Sequence, residues 1–127
     1  MDSRSIHLMA EYLDCDPSLL DDPDRVVALL REAARAAGVT VVGALEHRYT
    51  PQGVAAVLLL QESHLSIHTW PELGYAAVDF FTCGPGQPER AAHVIERGLG
   101  AARCELLLVR RGELARTPSL KVMEPGG

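Results

Sequence analysis

Residues 61–84 bring together side chains that can do chemistry. The segment reads QESHLSIHTWPELGYAAVDFFTCG, and it sets hydroxyls, imidazoles, carboxylates, a tryptophan and a thiol among apolar residues. Serine hydroxyls and thiols can act as nucleophiles, and imidazoles move protons near neutral pH. A buried hairpin needs few of these groups for packing, so we interpret the segment as a candidate reactive site.

Strand alternation predicts which of these side chains lie together. Segments 64–70 and 75–83 have strand composition and flank a short turn, which predicts an antiparallel hairpin. A turn that sets Trp70 opposite Tyr75 determines every other pair. Counting away from the turn along both strands gives the pairs His68–Ala77, Ser66–Asp79, His64–Phe81 and Glu62–Cys83. This register brings a thiol beside the Glu62–Ser63 peptide, with the two imidazoles on the same hairpin.

The remaining sequence predicts the elements that carry this hairpin. A helix is expected to begin after Asp22 as N-cap, with Pro23 at its first position, and to end at Gly38. The other expected elements are a strand over 5–13, an acidic turn over 14–22, strands over 39–49 and 54–61, a helix over 88–101, a strand over 105–109 and a loose tail from Thr117.

The order of these elements predicts an α+β fold. We expect a two-layer sandwich, in which a largely antiparallel sheet carries its helices on one face. The strand over 54–60 is apolar on both faces, so the uncovered face needs a partner. A homodimer is the simplest partner, and it would stack two sheets in a four-layer αββα arrangement. The whole chain, residues 1–127, is expected to form one domain.

Composition limits the function classes. The chain has 127 residues, of which 47% are hydrophobic and 23% charged, and its net charge is −5 with a pI near 5.5. Nucleic acids and anionic membranes need a basic patch, and no Lys/Arg run is present. The N-terminus lacks the apolar core of a signal peptide, so we expect a cytoplasmic protein. An odd number of cysteines, Cys15, Cys83 and Cys104, predicts free thiols.

The segment 62–84 closely resembles the prokaryotic S-adenosylmethionine decarboxylase proenzymes, small pyruvoyl enzymes of polyamine synthesis. The resemblance rests on Glu-Ser-His, His-Thr-Trp-Pro-Glu and Phe-Thr-Cys-Gly at the spacing of that family. It extends more weakly over nearly the whole chain, through His7-Leu8, Cys15, His47-Arg48-Tyr49 and Pro51-Gln52-Gly53-Val54.

The resemblance implies a self-processing enzyme. Ser63 would attack the carbonyl of Glu62, cleave the proenzyme into a β chain of residues 1–62 and an α chain of residues 63–127, and become a pyruvoyl cofactor. The pyruvoyl group would form a Schiff base with S-adenosylmethionine, and loss of CO₂ would give the aminopropyl donor of spermidine synthesis. By the same resemblance, His68 assists processing, Cys83 is the proton donor, and Tyr49, Trp70 and Glu72 bind the substrate.

Several alternatives stay open. Related branches decarboxylate arginine or ornithine, and an unprocessed chain would be a non-catalytic binding partner. His64 and His68 with Asp79 opposite suggest a metal site, but no third ligand has a settled spacing, so no metal is expected. Each residue alone also has a structural interpretation, such as a hydrogen-bonded strand histidine or a core tryptophan. His7 and Glu11 are ambiguous between polar strand positions and pocket residues.

The sequence departs from the family pattern near the cleavage site. Ala55 stands where the family has a serine or threonine that supports processing, Ala56 replaces a common glycine, and Gln61 replaces a serine. Another hydroxyl, with Ser66 an obvious candidate, or a water would have to substitute. Otherwise processing is slow or the substrate differs.

Overall fold

One antiparallel sheet of six strands organises the residues that the computed structural model describes, 5–112. The strands are β1 (Ser5–Leu13), β2 (Val41–Arg48), β3 (Val54–Leu60), β4 (Ser63–Trp70), β5 (Tyr75–Cys83) and β6 (Arg103–Arg111). Their order across the sheet is β2-β3-β4-β5-β1-β6. The predicted largely antiparallel sheet is therefore confirmed, and the expected tail from Thr117 lies outside the described residues.

The helices are α1 (Pro17–Leu20), α2 (Pro23–Ala37) and α3 (Pro88–Gly98). The predicted caps of α2 are confirmed, because the Asp22 carboxylate accepts the Arg25 N–H and Gly38 ends the helix with a φ of 79°. The segment predicted as an acidic turn is corrected, since it contains α1. Asp and Ser favour both turns and helix N-caps, so composition did not separate the two. None of the described helices is long and apolar enough to cross a bilayer.

The core lies between one face of the sheet and helices α2 and α3. Alternate strand residues point to this inner face, because successive side chains of a strand alternate between its two faces. The fully buried core side chains include Leu8, Tyr12, Leu58, Leu65, Ile67 and Phe80 from the strands and Val26, Leu30, Ala33, Ala91 and Ile95 from the helices. The predicted two-layer sandwich with helices on one face is confirmed.

No helix of the described residues covers the outer face of the sheet. The predicted hairpin register is confirmed from Trp70–Tyr75 to His64–Phe81. His64, Ser66, His68 and Trp70 consequently share the outer face. Leu45, Leu59 and Leu107 lie on this face too, 71%, 57% and 58% exposed. Large exposed apolar side chains on an uncovered sheet face are a feature of interaction surfaces.

Two buried threonines on the inner face form a matched pair for a stability test. Thr69 Oγ accepts the Val54 N–H at 2.8 Å and donates to the Leu20 carbonyl at 2.7 Å. Thr82 Oγ has no hydrogen-bond partner among the described residues. We expect Thr69→Val to lower the free energy of unfolding by about 1–3 kcal/mol, because it leaves two buried backbone groups without a hydrogen-bond partner. Thr82→Val is expected to raise it, by up to about 1 kcal/mol.

Urea denaturation of the two variants beside the parent measures both effects. Both variants exchange a hydroxyl for a methyl group of similar shape on neighbouring strands. The difference between them therefore reports hydrogen bonding and not packing. A larger loss for Thr82→Val than for Thr69→Val contradicts this prediction.

Candidate active site

A thiol lies against the peptide that the sequence singled out. Cys83 Sγ donates to the Glu62 carbonyl oxygen at 3.3 Å, and Ser5 Oγ lies 3.3 Å from the same sulfur. This contact confirms the predicted proximity of Cys83 to the Glu62–Ser63 peptide. We call Ser5, Glu62, Ser63 and Cys83 the thiol cluster.

The backbone at this peptide is strained. Gln61 and Glu62 form the two-residue connection between β3 and β4, and Glu62 has a φ of 65°. A residue other than glycine in this left-handed region costs about 1 kcal/mol or more, and such strain is often found at functional sites. Ser63 is 8% exposed, and its hydroxyl donates to the Gln61 carbonyl at 3.3 Å.

A row of rings and charges borders the thiol cluster on the outer face. His7 Nδ1 lies 3.2 Å from an Arg111 nitrogen, and His7 Nε2 lies 3.1 Å from Asp79 Oδ1. A guanidinium can only donate, so Nδ1 accepts and the imidazole proton is on Nε2, donated to Asp79. The His64 ring stacks on Phe81 at 5.8 Å between centroids. Sequence reasoning left His7 ambiguous, and the pairing of β1 with β5 resolves its position.

A second group of predicted residues lines a separate cavity of about 350 Å³. We call it the aromatic pocket, and its chemically useful lining residues are Tyr49, His68, Trp70 and Glu72. The Trp70 ring stacks on His68 at 6.3 Å and on Tyr75 at 5.1 Å. The three residues predicted to bind substrate are thus neighbours, and His68 lies with them.

The loop before β3 holds Tyr49 at the rim of the aromatic pocket. The Asp21 carboxylate accepts the Gly53 N–H at 2.8 Å and pairs with Arg48 at 2.8 Å. The Gly53 hydrogen bond, with Arg48 adding to it, lowers the pKa of Asp21. The carboxylate form therefore anchors both ends of the loop that carries Tyr49.

The other two cysteines are poor nucleophiles at neutral pH. All three cysteines are free, as predicted. Burial, with Asp14 adding to it, raises the pKa of the Cys15 thiol to about 11. Burial likewise raises the pKa of Cys104. Thiolates, not thiols, are nucleophilic, so burial makes both residues less reactive than an ordinary thiol.

The thiol cluster and the aromatic pocket lie at opposite ends of the sheet. His68 follows Ser63 by five residues on β4, which separates them by about 16 Å at 3.3 Å per residue, and Trp70 lies about 23 Å away. Ala55 pairs with His68, so a hydroxyl at position 55 would also lie at the pocket. Ser66, expected to substitute for it, is about 10 Å along the strand from Ser63. Within this chain, His64 is near the Glu62–Ser63 peptide and His68 is not.

Ser5 is the member of the thiol cluster that sequence reasoning missed. It lies far from the 62–84 motif in the chain and meets Cys83 only because β1 pairs with β5. The available signal was the period-two pattern of the first strand, but that pattern does not tell which strand lies beside it.

Fold and site together define an α+β protein with a serine and a thiol at a strained turn between two central strands. A family model described as S-adenosylmethionine decarboxylase matches residues 6–112, and the chain belongs to this family. The resemblance noted in the sequence is thereby confirmed.

The relatives and a solved structure agree with this assignment. The chain is 48% identical over 106 residues to the S-adenosylmethionine decarboxylase proenzyme of Parasynechococcus marenigrum, covering 83% of each chain. It is 43% identical over 109 residues to that of Methanococcus aeolicus, covering 85% of this chain and 93% of the relative. The crystal structure of adenosylmethionine decarboxylase from Aquifex aeolicus superposes with a TM-score of 0.82 at 30% identity, over 94% of this chain and 100% of that one.

Proposed function

We propose that this chain is a self-processing, pyruvoyl-dependent decarboxylase of S-adenosylmethionine. Its product would be decarboxylated S-adenosylmethionine, the aminopropyl donor of spermidine synthesis. The observation that carries the proposal is the Cys83 thiol hydrogen-bonded to the carbonyl of Glu62, the group that Ser63 must attack. The family relatives, which are named as proenzymes, support it.

Maturation is a rearrangement of the Glu62–Ser63 peptide. The Ser63 hydroxyl adds to the Glu62 carbonyl carbon, the C–N bond breaks and the proton ends on nitrogen, so an ester replaces the amide. Loss of the Ser63 α-proton then expels the Glu62 carboxylate from Cβ. This elimination separates chains 1–62 and 63–127, and water then releases the nitrogen of residue 63 as ammonia, which leaves the second chain headed by a pyruvoyl group.

The residues of the thiol cluster fit this prosthetic group. A strained turn, a serine hydroxyl and a thiol donor on the scissile carbonyl are what its formation needs. The thiol cluster would hold this group, which would supply an electron sink for the substrate amine during loss of CO₂. Cys83 is within reach of the peptide that precedes residue 63, so its thiol can return a proton to the substrate α-carbon.

A complete site requires a second copy of the chain. The aromatic pocket is about 16–23 Å along the sheet from Ser63, too far for one small substrate to contact both. Two sheets packed on their outer faces are only about 10 Å apart. A two-fold axis between the sheets, at right angles to the strands, puts the pocket of one protomer over the thiol cluster of the other.

The proposed homodimer also covers the apolar outer face. In this arrangement the exposed side chains of Leu45, Leu59 and Leu107 become buried, and the burial of apolar surface stabilises the assembly. The layers become helices, sheet, sheet and helices, the predicted αββα order. His68 of the partner subunit then reaches the ester of Ser63, which accounts for a processing role that one protomer cannot provide.

The aromatic pocket suits a nucleoside with a sulfonium group. Trp70 and Tyr49 present half-exposed ring faces, on which an adenine can stack and a cation can rest. Glu72 lines the same cavity and can accept hydrogen bonds from ribose hydroxyls.

A cytoplasmic location is a further part of the proposal.

A panel of substrates tests the activity. Protein shown by intact mass to be fully cleaved is given S-adenosylmethionine, arginine or ornithine, each labelled in the carboxyl group, and released CO₂ is counted. We expect release from S-adenosylmethionine alone, because only that substrate uses the stacking surfaces of the pocket. Trp70→Ala should lower kcat/KM for it by about 10–100-fold, the effect of losing one stacked ring.

Three results separate the alternatives. More CO₂ release from arginine or ornithine than from S-adenosylmethionine contradicts the proposed substrate and favours a related amino-acid decarboxylase. Cleaved protein without release from any of the three contradicts the proposed reaction. Protein that never cleaves contradicts the enzyme assignment and favours a non-catalytic binding partner.

A further inference from the structure

Ser5 contacts Cys83, the residue whose thiol is hydrogen-bonded to the cleavage peptide. Its side chain is 6% exposed, and its hydroxyl lies 3.3 Å from Cys83 Sγ. We propose that Ser5 is a positioning residue for self-cleavage, which orients the Cys83 thiol on the Glu62 carbonyl. This inference rests on the proposed self-processing function and names a further residue for it.

The direction of the hydrogen bonds follows from the atoms. A thiol has one proton, and a carbonyl oxygen can only accept. Cys83 therefore donates its proton to Glu62, and the Ser5 hydroxyl donates to the sulfur. The result is a chain of two donors that runs from Ser5 through Cys83 to the carbonyl that Ser63 attacks.

These two linked hydrogen bonds act on the addition step, in which negative charge develops. When the Ser63 oxygen adds to the Glu62 carbon, negative charge builds on the carbonyl oxygen and strengthens the bond from the thiol. Charge shifted onto sulfur is in turn stabilised by the Ser5 hydroxyl, since linked hydrogen bonds polarise one another. Ser5 thus favours the addition step without touching the reacting atoms.

Strand pairing gives Ser5 a fixed position. It lies directly opposite Cys83 in the β1–β5 ladder and opposite Arg111 in the β1–β6 ladder. A hydroxyl on a strand that is paired on both sides keeps its distance to the sulfur. Ser66, by contrast, pairs with Val57 and Asp79, away from the cleavage peptide.

Cleavage kinetics test the assignment. Freshly made precursor of the parent, Ser5→Ala, Ser5→Thr and Ser66→Ala is followed by intact mass as the chain divides. We expect Ser5→Ala to cleave about tenfold more slowly, the effect of one lost hydrogen bond at the transition state. Ser5→Thr keeps the hydroxyl and should restore most of the rate, while Ser66→Ala should match the parent.

Two further measurements show that Ser5 acts through Cys83 and on the addition step. In a Cys83→Ala background, which we expect to cleave slowly, Ser5→Ala should cause no additional loss, because coupled groups are not additive. Hydroxylamine cuts an ester but not an amide, so it reports ester formation. The Ser5→Ala defect should therefore persist when hydroxylamine is present.

These experiments distinguish a failure of the Ser5 role from a failure of the proposed self-processing. If the parent never cleaves, the self-processing function fails. If the parent cleaves and Ser5→Ala cleaves equally fast, or the loss is additive with that of Cys83→Ala, the role of Ser5 is overturned. Full recovery with hydroxylamine overturns its assignment to the addition step.

Discussion

Replacing Ser63 by alanine is expected to leave the protein as one uncut chain without decarboxylase activity. Alanine has no hydroxyl to add to the Glu62 carbonyl, so neither the ester nor the pyruvoyl group can form. The thiol cluster would keep its other members, because Ser63 contributes one hydrogen bond, to Gln61. Intact-mass spectrometry and CO₂ release measure the two losses.

The parent protein provides the comparison. It should run as two fragments broken between Glu62 and Ser63, of 62 and 127 − 62 = 65 residues, the second blocked by a pyruvoyl group. Ser66→Ala, a serine on the same strand, is the matched control and should divide normally. A free serine at the new N-terminus, a parent that stays whole after long incubation, or cleavage of Ser63→Ala at the same bond contradicts this prediction.

Two defective variants are expected to restore activity when they share a dimer. Tyr49→Ala removes a ring of the aromatic pocket, and Cys83→Ala removes the thiol at the other end of the sheet. In a mixed dimer, one of the two sites receives both intact groups. Random assembly makes half of the dimers mixed, so activity should return to about a quarter of the parent value.

The matched control uses two variants of the same cluster. Cys83→Ala mixed with Ser63→Ala should regain nothing, because every site then lacks one of the two groups. Subunit exchange is established with two affinity tags, and sedimentation at low micromolar concentration establishes the dimer. A monomer, or no recovery for Tyr49→Ala with Cys83→Ala after proven exchange, contradicts the shared site.

The hairpin could be predicted because its rules are local. Period-two alternation and a four-residue turn over 71–74 are enough to pair His64 with Phe81, and the structure has that register. The ends of α2 follow in the same way from Asp22 and Gly38. Element ends were less secure: α3 stops at Gly98, and the last strand extends over Arg103–Arg111. Helix ends fray, and edge strands carry weak sequence signals.

The sequence by itself determined the family, and it predicted the cleavage peptide and the residues that carry the chemistry, because a run of more than twenty residues keeps those groups at family spacing. Only the tertiary structure decided how they are grouped. The pairing of β1 with β5 puts Ser5 against Cys83 across a separation of 78 residues. The straight path of β4 carries His68 away from Ser63 and into the aromatic pocket. Local patterns specify faces and turns, whereas strand order depends on how the whole sheet packs, so a single strand pattern does not contain it.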